Sequence, residues 1–153
     1  MVSEDNRKRS LLVVDNNPRK RSKWRDAAER AAGFRIIEAD SYATALEALE
    51  SDDIDIMMTD LFLTVESEQT ENIDEADGLR LIEHCRQRYP RSKIVAITGK
   101  SGVGTEIGAR ALEAGADDFI SANWLFLDPE KLLEQKLRIF DRVLCRNSEP
   151  TLS

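Results

Sequence analysis

The chain has 153 residues, a formal net charge of −7, 41% hydrophobic residues and 33% charged residues. This composition favours one globular domain and excludes a membrane-spanning chain, because no apolar run approaches the roughly 18 residues that a transmembrane helix needs. The charged stretch 1–10 is unlike a secretory signal, and only two cysteines are present, Cys85 and Cys145. We therefore expect a reduced, cytoplasmic protein whose acidity disfavours direct binding to nucleic acid.

The charge is unevenly distributed along the chain. Residues 1–30 hold nine Lys and Arg against five acids, a balance of +4, which leaves −11 on the remainder. A basic first helix on an acidic body is typical of a surface that attracts a partner electrostatically, although a solvated helix face has the same pattern.

The first strand and helix are predicted directly after a flexible arm over residues 1–9. Leu11–Asp15 is a continuous apolar run ended by an acid, which is typical of a buried parallel strand. The sequence Asn16-Asn17-Pro18 signals a helix start. Trp24 and the alanines after it recur at helical spacing until Gly33, which predicts one buried helix face.

A second strand, a second helix and a third strand follow. Phe34–Ala39 has the composition of a strand, and Ser41 can cap the next helix. The third strand is predicted over Ile54–Thr59 and leads into Asp60. Six acids and no base then occupy Thr64–Asp77, which predicts a solvated acidic loop.

The second half of the chain continues the alternation of helices and strands. It contains a helix over Asp77–Tyr89, a strand over Lys93–Thr98, a helix over Thr105–Ala114, a strand over Asp118–Ser121 and a helix over Pro129–Arg146. The last helix has an apolar stripe of Leu133, Leu137, Phe140 and Leu144, widened by Leu132, Ile139 and Val143.

Five strands alternating with five helices predict a doubly wound α/β fold. We expect a flavodoxin-like parallel sheet of five strands in the order 2-1-3-4-5, with helices on both faces. This domain should cover residues 10–146, followed by a flexible tail over 147–153.

Polar side chains should meet where the strand order of this sheet reverses. Asp15 and Asp60 follow strands 1 and 3, Thr98 ends strand 4, and Asn16 lies beside Asp15. Two crowded carboxylates favour either a shared proton or a hard cation such as Mg²⁺. A carboxylate at such a site can also attack phosphorus and form an aspartyl phosphate. The alternative is that these residues are ordinary helix caps and strand ends.

Over residues 10–146 the chain resembles the receiver domains of two-component response regulators, including the chemotaxis regulators. The resemblance rests on Leu-Val-Val-Asp at 12–15, the strand that ends in Asp60, Ile-Val-Ala-Ile-Thr at 94–98 and Ala-Gly-Ala-Asp-Asp-Phe-Ile at 114–120. It implies a phosphoprotein that accepts a phosphoryl group from a histidine kinase or histidine phosphotransfer protein. It implies no independent turnover.

The resemblance also implies a role for each matching residue. Asp60 would be the phosphoacceptor, Thr98 the switch hydroxyl and Phe119 the switch aromatic. Mg²⁺ would be held by Asp15, Asn16, Asp60 and the backbone carbonyl of Phe62. The output would be contact with a downstream protein effector through the face of helix 4, strand 5 and helix 5. A second copy of the chain, in a homodimer, is a further candidate partner.

The chain departs from this family pattern, and is therefore an atypical member. Ala122 and Asn123 stand where the family has a Lys-Pro pair, which removes a positive charge from the phosphoryl group. Asn16 replaces the second acid after strand 1. Lys100 either reaches the pocket in place of the missing lysine or is an ordinary exposed loop residue.

Two functions follow from these departures. The first is a working phosphoacceptor, and the second is a pseudo-receiver that signals by protein contacts without phosphorylation. A phosphatase of the haloacid dehalogenase type is disfavoured because Phe62 stands where its second Asp is required. A P-loop is excluded because Ile94 replaces its first Gly, and His84 has no second metal ligand near it in sequence.

Overall fold

The computed structural model describes residues 8–64, 76–99, 104–121 and 128–148. The strands are β1 Ser10–Val14, β2 Arg35–Ala39, β3 Ile56–Asp60, β4 Lys93–Thr98 and β5 Asp118–Ser121. The helices are α1 Pro18–Ala31, α2 Tyr42–Ser51, α3 Asp77–Arg88, α4 Gly104–Ala114 and α5 Pro129–Ser148. No helix in the described ranges has the length and apolar character needed to cross a membrane.

The strands form one parallel sheet in the order β2-β1-β3-β4-β5. The predicted fold class and strand order are therefore confirmed. β3 is central and pairs with β1 on one side and β4 on the other. All five strands point the same way, so their carboxyl ends meet at one edge of the sheet, as the prediction required.

The sheet has a hydrophobic core on each face because successive strand residues point in opposite directions. Met58 packs with Trp24 and Leu133 on the face covered by α1 and α5. Met57 packs with Leu49 and Leu81 on the other face, where α2, α3 and α4 lie. This burial on both faces explains why the central strands are continuous apolar runs rather than alternating ones.

The first two helices begin at side-chain caps that the sequence predicts. The side chain of Asn17 accepts hydrogen bonds from the backbone N–H groups of Arg19 and Lys20, and Pro18 occupies the first helical position. Ser41 and Thr44 form a capping box at the start of α2. The Asn17 cap holds the first turn of α1 beside the end of β1.

Several boundaries differ from the sequence predictions. Ile54 precedes β3 rather than beginning it, and Asp60 lies within the strand because it pairs with Ile97. The helix α5 continues to Ser148, two residues past the predicted end. Ile139, which the sequence adds to the apolar stripe of α5, is not buried with that stripe, since 49% of it is exposed. The predicted arm (except residues 8 and 9) and acidic loop (except 64, 76 and 77) lie outside the described residues, as do 149–153 of the tail.

Candidate functional site

A small cavity of about 260 Å³ lies at the carboxyl edge of the sheet, between the start of α1 and the start of α5. It is lined by Asp15, Lys20, Lys23, Trp24, Asp60, Ile97, Gly99, Pro129 and Glu130. The two carboxylates that the sequence places after β1 and at the end of β3 therefore share one cavity. This supports the prediction that they converge where the strand order reverses.

Asp15 is almost fully buried, and each of its carboxylate oxygens accepts a hydrogen bond. The backbone N–H of Asn17 donates to Oδ1 at 2.8 Å, and Nε1 of Trp24 donates to Oδ2 at 3.0 Å. Burial raises the pKa of this carboxyl above its ordinary value. The two hydrogen bonds oppose that effect, as do the nearby charges of Lys20 and Arg21, so the site stabilises the carboxylate only in part.

Asp60 is 4% exposed and is the last residue of β3. Its Oδ1 accepts a hydrogen bond of 2.9 Å from the backbone N–H of Phe62. This bond turns the chain directly after the strand and fixes the Asp60 carboxylate at the sheet edge. The backbone carbonyl predicted as a metal ligand thus belongs to the residue that orients the predicted acceptor.

The turn after Asp60 is also fixed by the start of α3. A Cβ added to Gly78 would lie 2.5 Å from the carbonyl oxygen of Asp60 and 2.5 Å from Cα of Leu61. Only a residue without a side chain allows this approach, and the N–H of Gly78 donates to the carbonyl of Leu61 at 2.9 Å. The Asp77 carboxylate accepts from the N–H of Leu63 at 2.7 Å. The end of β3 and the start of α3 are therefore held together by backbone contacts and by the Asp77 carboxylate.

Thr98 and Phe119 lie on the neighbouring strands. Asp60 is in register with Ile97, which places the buried Thr98 one position further along β4. Phe119 is in register with Ala96, so alternation places it on the same sheet face as Thr98. Its ring packs over α4, where a Cβ on Gly108 would meet it at 2.9 Å. Phe119 thus packs between the sheet and α4, and Thr98 lies on the same sheet face, nearer the carboxyl edge.

The cavity contains two residues whose roles the sequence analysis missed. Trp24 was assigned only to the apolar face of α1, yet it donates to Asp15. Lys20 lines the cavity, whereas Lys100 lies outside the described residues. Helical spacing was the available signal, because Lys20 precedes Trp24 by four residues and so lies on its face of α1.

The oxygen atoms that could act as metal ligands at this edge are of the kind that Mg²⁺ prefers. Asp15 and Asp60 supply carboxylate oxygens to one cavity, and Asn16 and the Phe62 carbonyl are adjacent to them in the chain. Hard cations prefer such oxygen ligands, and Mg²⁺ commonly uses one or two carboxylates. Within the described ranges no three His, Cys, Asp or Glu residues are placed so that they could hold a metal ion together, so a bound cation would depend on Asp15 and Asp60 with other oxygen ligands.

Comparison with known proteins agrees with the fold. The family model of the response regulator receiver domain matches residues 11–135. A curated relative from Rhodospirillum rubrum, protein-glutamate methylesterase/protein-glutamine glutaminase 3, is 29% identical over 110 residues. That match covers 72% of this chain and 27% of the relative, so the chain spans about a quarter of the relative's length.

Solved structures show the same fold at low sequence identity. A CheY-like receiver domain protein from Methanospirillum hungatei JF-1 is 21% identical, with a TM-score of 0.69 over 91% of this chain and 98% of that one. A response regulator from Burkholderia pseudomallei is 19% identical, with a TM-score of 0.64 over 95% of this chain and 78% of that one. The match of the family model over residues 11–135 shows that the chain belongs to the response regulator receiver domain family.

Proposed function

We propose that this receiver domain accepts a phosphoryl group on Asp60 from a histidine kinase or histidine phosphotransfer protein, and then signals through contacts with a protein effector. The observation that supports this most directly is that the buried Asp60 and Asp15 line the same cavity at the strand-order reversal. The solved structure of the Burkholderia pseudomallei regulator contains a phosphorylated aspartic acid and a calcium ion. That content is consistent with an acceptor role at the corresponding edge of this fold.

Asp60 would act as the nucleophile. One of its carboxylate oxygens bonds to phosphorus while the bond from phosphorus to the donor's imidazole nitrogen breaks, and the imidazole leaves. The N–H of Phe62 holds the Asp60 carboxylate in place for this attack. Thr98 lies on the neighbouring strand, one position beyond the register partner of Asp60. Its hydroxyl would respond to the new negative charge on Asp60.

Mg²⁺ would be held by Asp15, Asn16, Asp60 and the Phe62 carbonyl, and would neutralise the charge of the transferring phosphoryl oxygens. The ionised form of Asp15 is required for this role. Burial opposes that form, since it raises the pKa of Asp15. Mg²⁺ binding should therefore weaken as the pH falls and Asp15 takes up a proton.

The first helix is proposed as a docking surface for the phosphoryl donor. Its basic residues are not equally available to a partner, because Arg21 and Arg25 both form ion pairs with Glu38. These pairs are exposed and cost little to break. Arg19 and Lys23 are exposed in the same helix, which leaves a basic surface close to the cavity mouth.

The test is labelling with acetyl phosphate in the presence of Mg²⁺, followed by mass spectrometry of the intact protein. We expect the wild-type protein to gain one phosphoryl group and Asp60→Asn to gain none. Asp55→Asn, which changes an acid before the same strand, is the matched control and should label like the wild type. A wild-type protein that gains no mass from acetyl phosphate would contradict the proposal.

A pseudo-receiver is the second candidate, and one observation favours it. Both oxygens of Asp15 already accept hydrogen bonds within the protein, so the carboxylate is partly satisfied without a metal. In that case effector contact would not depend on phosphorylation. Titration with Mg²⁺ distinguishes the two, since a pseudo-receiver should show no change in Trp24 fluorescence at concentrations that saturate an acceptor.

A further inference from the structure

The side chain of Lys20 enters the candidate site from α1. Lys20 is half-buried and lines the cavity that also contains Asp15 and Asp60. Its Nζ lies 3.2 Å from the position that a Cβ on Gly99 would occupy. Gly99 directly follows Thr98, so this ammonium group lies next to the end of β4, close to the switch hydroxyl.

The other basic residues at the start of α1 are engaged elsewhere or lie further out. Arg21 donates to the backbone carbonyl of Asp15 and pairs with Glu38, and so faces β2. Lys23 lines the same cavity but is exposed, which places it at the outer rim. Of the two lysines that line the cavity among the described residues, Lys20 is therefore the one whose ammonium group is partly removed from water.

The first turn of α1 holds Lys20 in this position. Its backbone N–H donates to the Asn17 side chain at 3.2 Å, in the same cap that follows Asp15. Trp24, four residues further along, is buried and donates a hydrogen bond to Asp15. This contact fixes the rotation of α1 about its own axis, so that Lys20 lies on the same face of the helix as Trp24. The orientation of Lys20 toward the cavity is thus set by two contacts to the end of β1.

We propose that Lys20 supplies the positive charge that pairs with the phosphoryl group on Asp60, in place of the lysine that the family has after β5 and that is Ala122 in this chain. This inference rests on the proposed function of Asp60 as an acceptor. A phosphoryl group on Asp60 brings anionic oxygens into a cavity that already holds the Asp15 carboxylate. An ammonium group at the cavity wall can donate charge-assisted hydrogen bonds to those oxygens.

The test is titration of beryllofluoride, a phosphoryl analogue, in saturating Mg²⁺, monitored by fluorine NMR. Lys20→Ala should weaken analogue binding by about ten- to a hundredfold, the loss typical of a hydrogen bond between charged groups. Lys20→Arg should retain part of the binding because it keeps the charge. Lys131→Ala is the matched control, since it removes the same charge from an exposed position of α5 that does not line the cavity, and should change the affinity by less than about threefold.

A second titration, with Mg²⁺ alone, separates a phosphoryl contact from a structural role. Removing a cation near two carboxylates should leave the Mg²⁺ affinity of Lys20→Ala unchanged or increased. A variant that is merely misfolded would lose affinity for both ligands, and that result would overturn the assignment.

The outcomes also separate this inference from the proposed function. If the wild-type protein binds beryllofluoride and Lys20→Ala binds it equally well, the role of Lys20 is wrong and the acceptor role of Asp60 stands. If the wild-type protein forms no adduct, the proposed function fails, and the role of Lys20 fails with it.

Discussion

The two edges of the sheet each carry a cavity, and the larger one is at the edge opposite the candidate site. The cavity at the amino edge measures about 930 Å³, against about 260 Å³ at the carboxyl edge. Acids line both. At the amino edge Asp52 forms an exposed ion pair with Arg35, whereas Asp15 and Asp60 at the carboxyl edge are 1% and 4% exposed.

This difference shows that burial of charge, and not cavity size, distinguishes the site. An exposed ion pair is screened by water and requires no further explanation. Two carboxylates removed from water are costly unless other groups compensate them, so their presence indicates a function. The parallel arrangement of the strands explains why these buried acids occur at only one of the two edges.

The largest expected effect tests how tightly the backbone is packed at the carboxyl edge. Gly78→Ala places a Cβ within 2.5 Å of backbone atoms of Asp60 and Leu61, and the backbone cannot move aside without shifting β3 or α3. We expect a loss of about 3 kcal/mol or more in the free energy of unfolding, together with reduced labelling of Asp60. Urea denaturation and acetyl phosphate labelling would measure the two effects.

The control for Gly78 is Gly33, which lies between α1 and β2 at the amino edge. A Cβ on Gly33 would meet no atom within 4 Å, and its φ is not positive. Gly33→Ala should therefore be neutral or stabilise the protein by up to about 1 kcal/mol, because it restricts the unfolded chain. Equal destabilisation by both substitutions would contradict the difference between the edges.

A smaller effect is expected from deleting one hydrogen-bond donor at each edge. Trp24→Phe removes the donor to the buried Oδ2 of Asp15 and should cost about 1–3 kcal/mol of unfolding free energy. At the amino edge, Tyr89→Phe removes a hydroxyl that donates to the carbonyls of Leu49 and Asp52. Because those acceptors are neutral and Tyr89 is only half-buried, about 1 kcal/mol is expected.

Chemical denaturation of both variants, with the wild type measured under the same conditions, gives the comparison. A larger loss of unfolding free energy for Tyr89→Phe than for Trp24→Phe would mean that the buried Asp15 carboxylate does not depend on its hydrogen-bond donor more than the neutral carbonyls do. The prediction of a charged, desolvated site at the carboxyl edge would then lose its support.

The smallest effect is a pH dependence that belongs to Asp15. Burial raises its pKa above the ordinary 3.8, so the folded protein keeps this proton at pH values where the unfolded chain has released it. The stability contributed by protonated Asp15 is present below the unfolded pKa and is lost as the pH rises through the folded pKa. Asp15→Asn cannot titrate, so the stability of the wild type relative to this variant should fall as the pH rises from about 4 to 7.

Denaturant unfolding of both proteins at several pH values measures this relative stability. All other acids are common to the two proteins, so to a first approximation their titration cancels in the difference. A difference that is constant with pH, or that favours the wild type more at higher pH, would contradict the raised pKa of Asp15.

Much of the fold could be predicted because its signals are local. The strand Lys93–Thr98 and the strand Asp118–Ser121 have the predicted bounds, and Asn17, Pro18 and Ser41 occupy the predicted helix starts. Boundaries failed where pairing with a distant residue decides them. Asp60 belongs to β3 only because Ile97 pairs with it, and no property of residues 54–60 alone reports that pairing.

The sequence alone determined which polar residues lie at the strand ends of the carboxyl edge. A parallel α/β alternation fixes which strand ends share an edge, and so it brings Asp15, Asp60 and Thr98 together before any coordinates are known. The family pattern adds Phe119 as the predicted switch aromatic, and it shows that Ala122 stands where the family has a lysine. The placement of the strand ends depends only on periodicity and chain order, which are properties of neighbouring residues, whereas Phe119 and Ala122 are identified by the resemblance to the family.

Only the tertiary structure decided which side chains complete the site. Lys20 is one of several basic residues in α1, and its entry into the cavity depends on the helix rotation set by Trp24 and Asp15. The need for Gly78 depends on a backbone contact between residues distant in sequence. Such features follow from the packing of a helix against a sheet edge, and that packing is specified by the whole core rather than by any one segment.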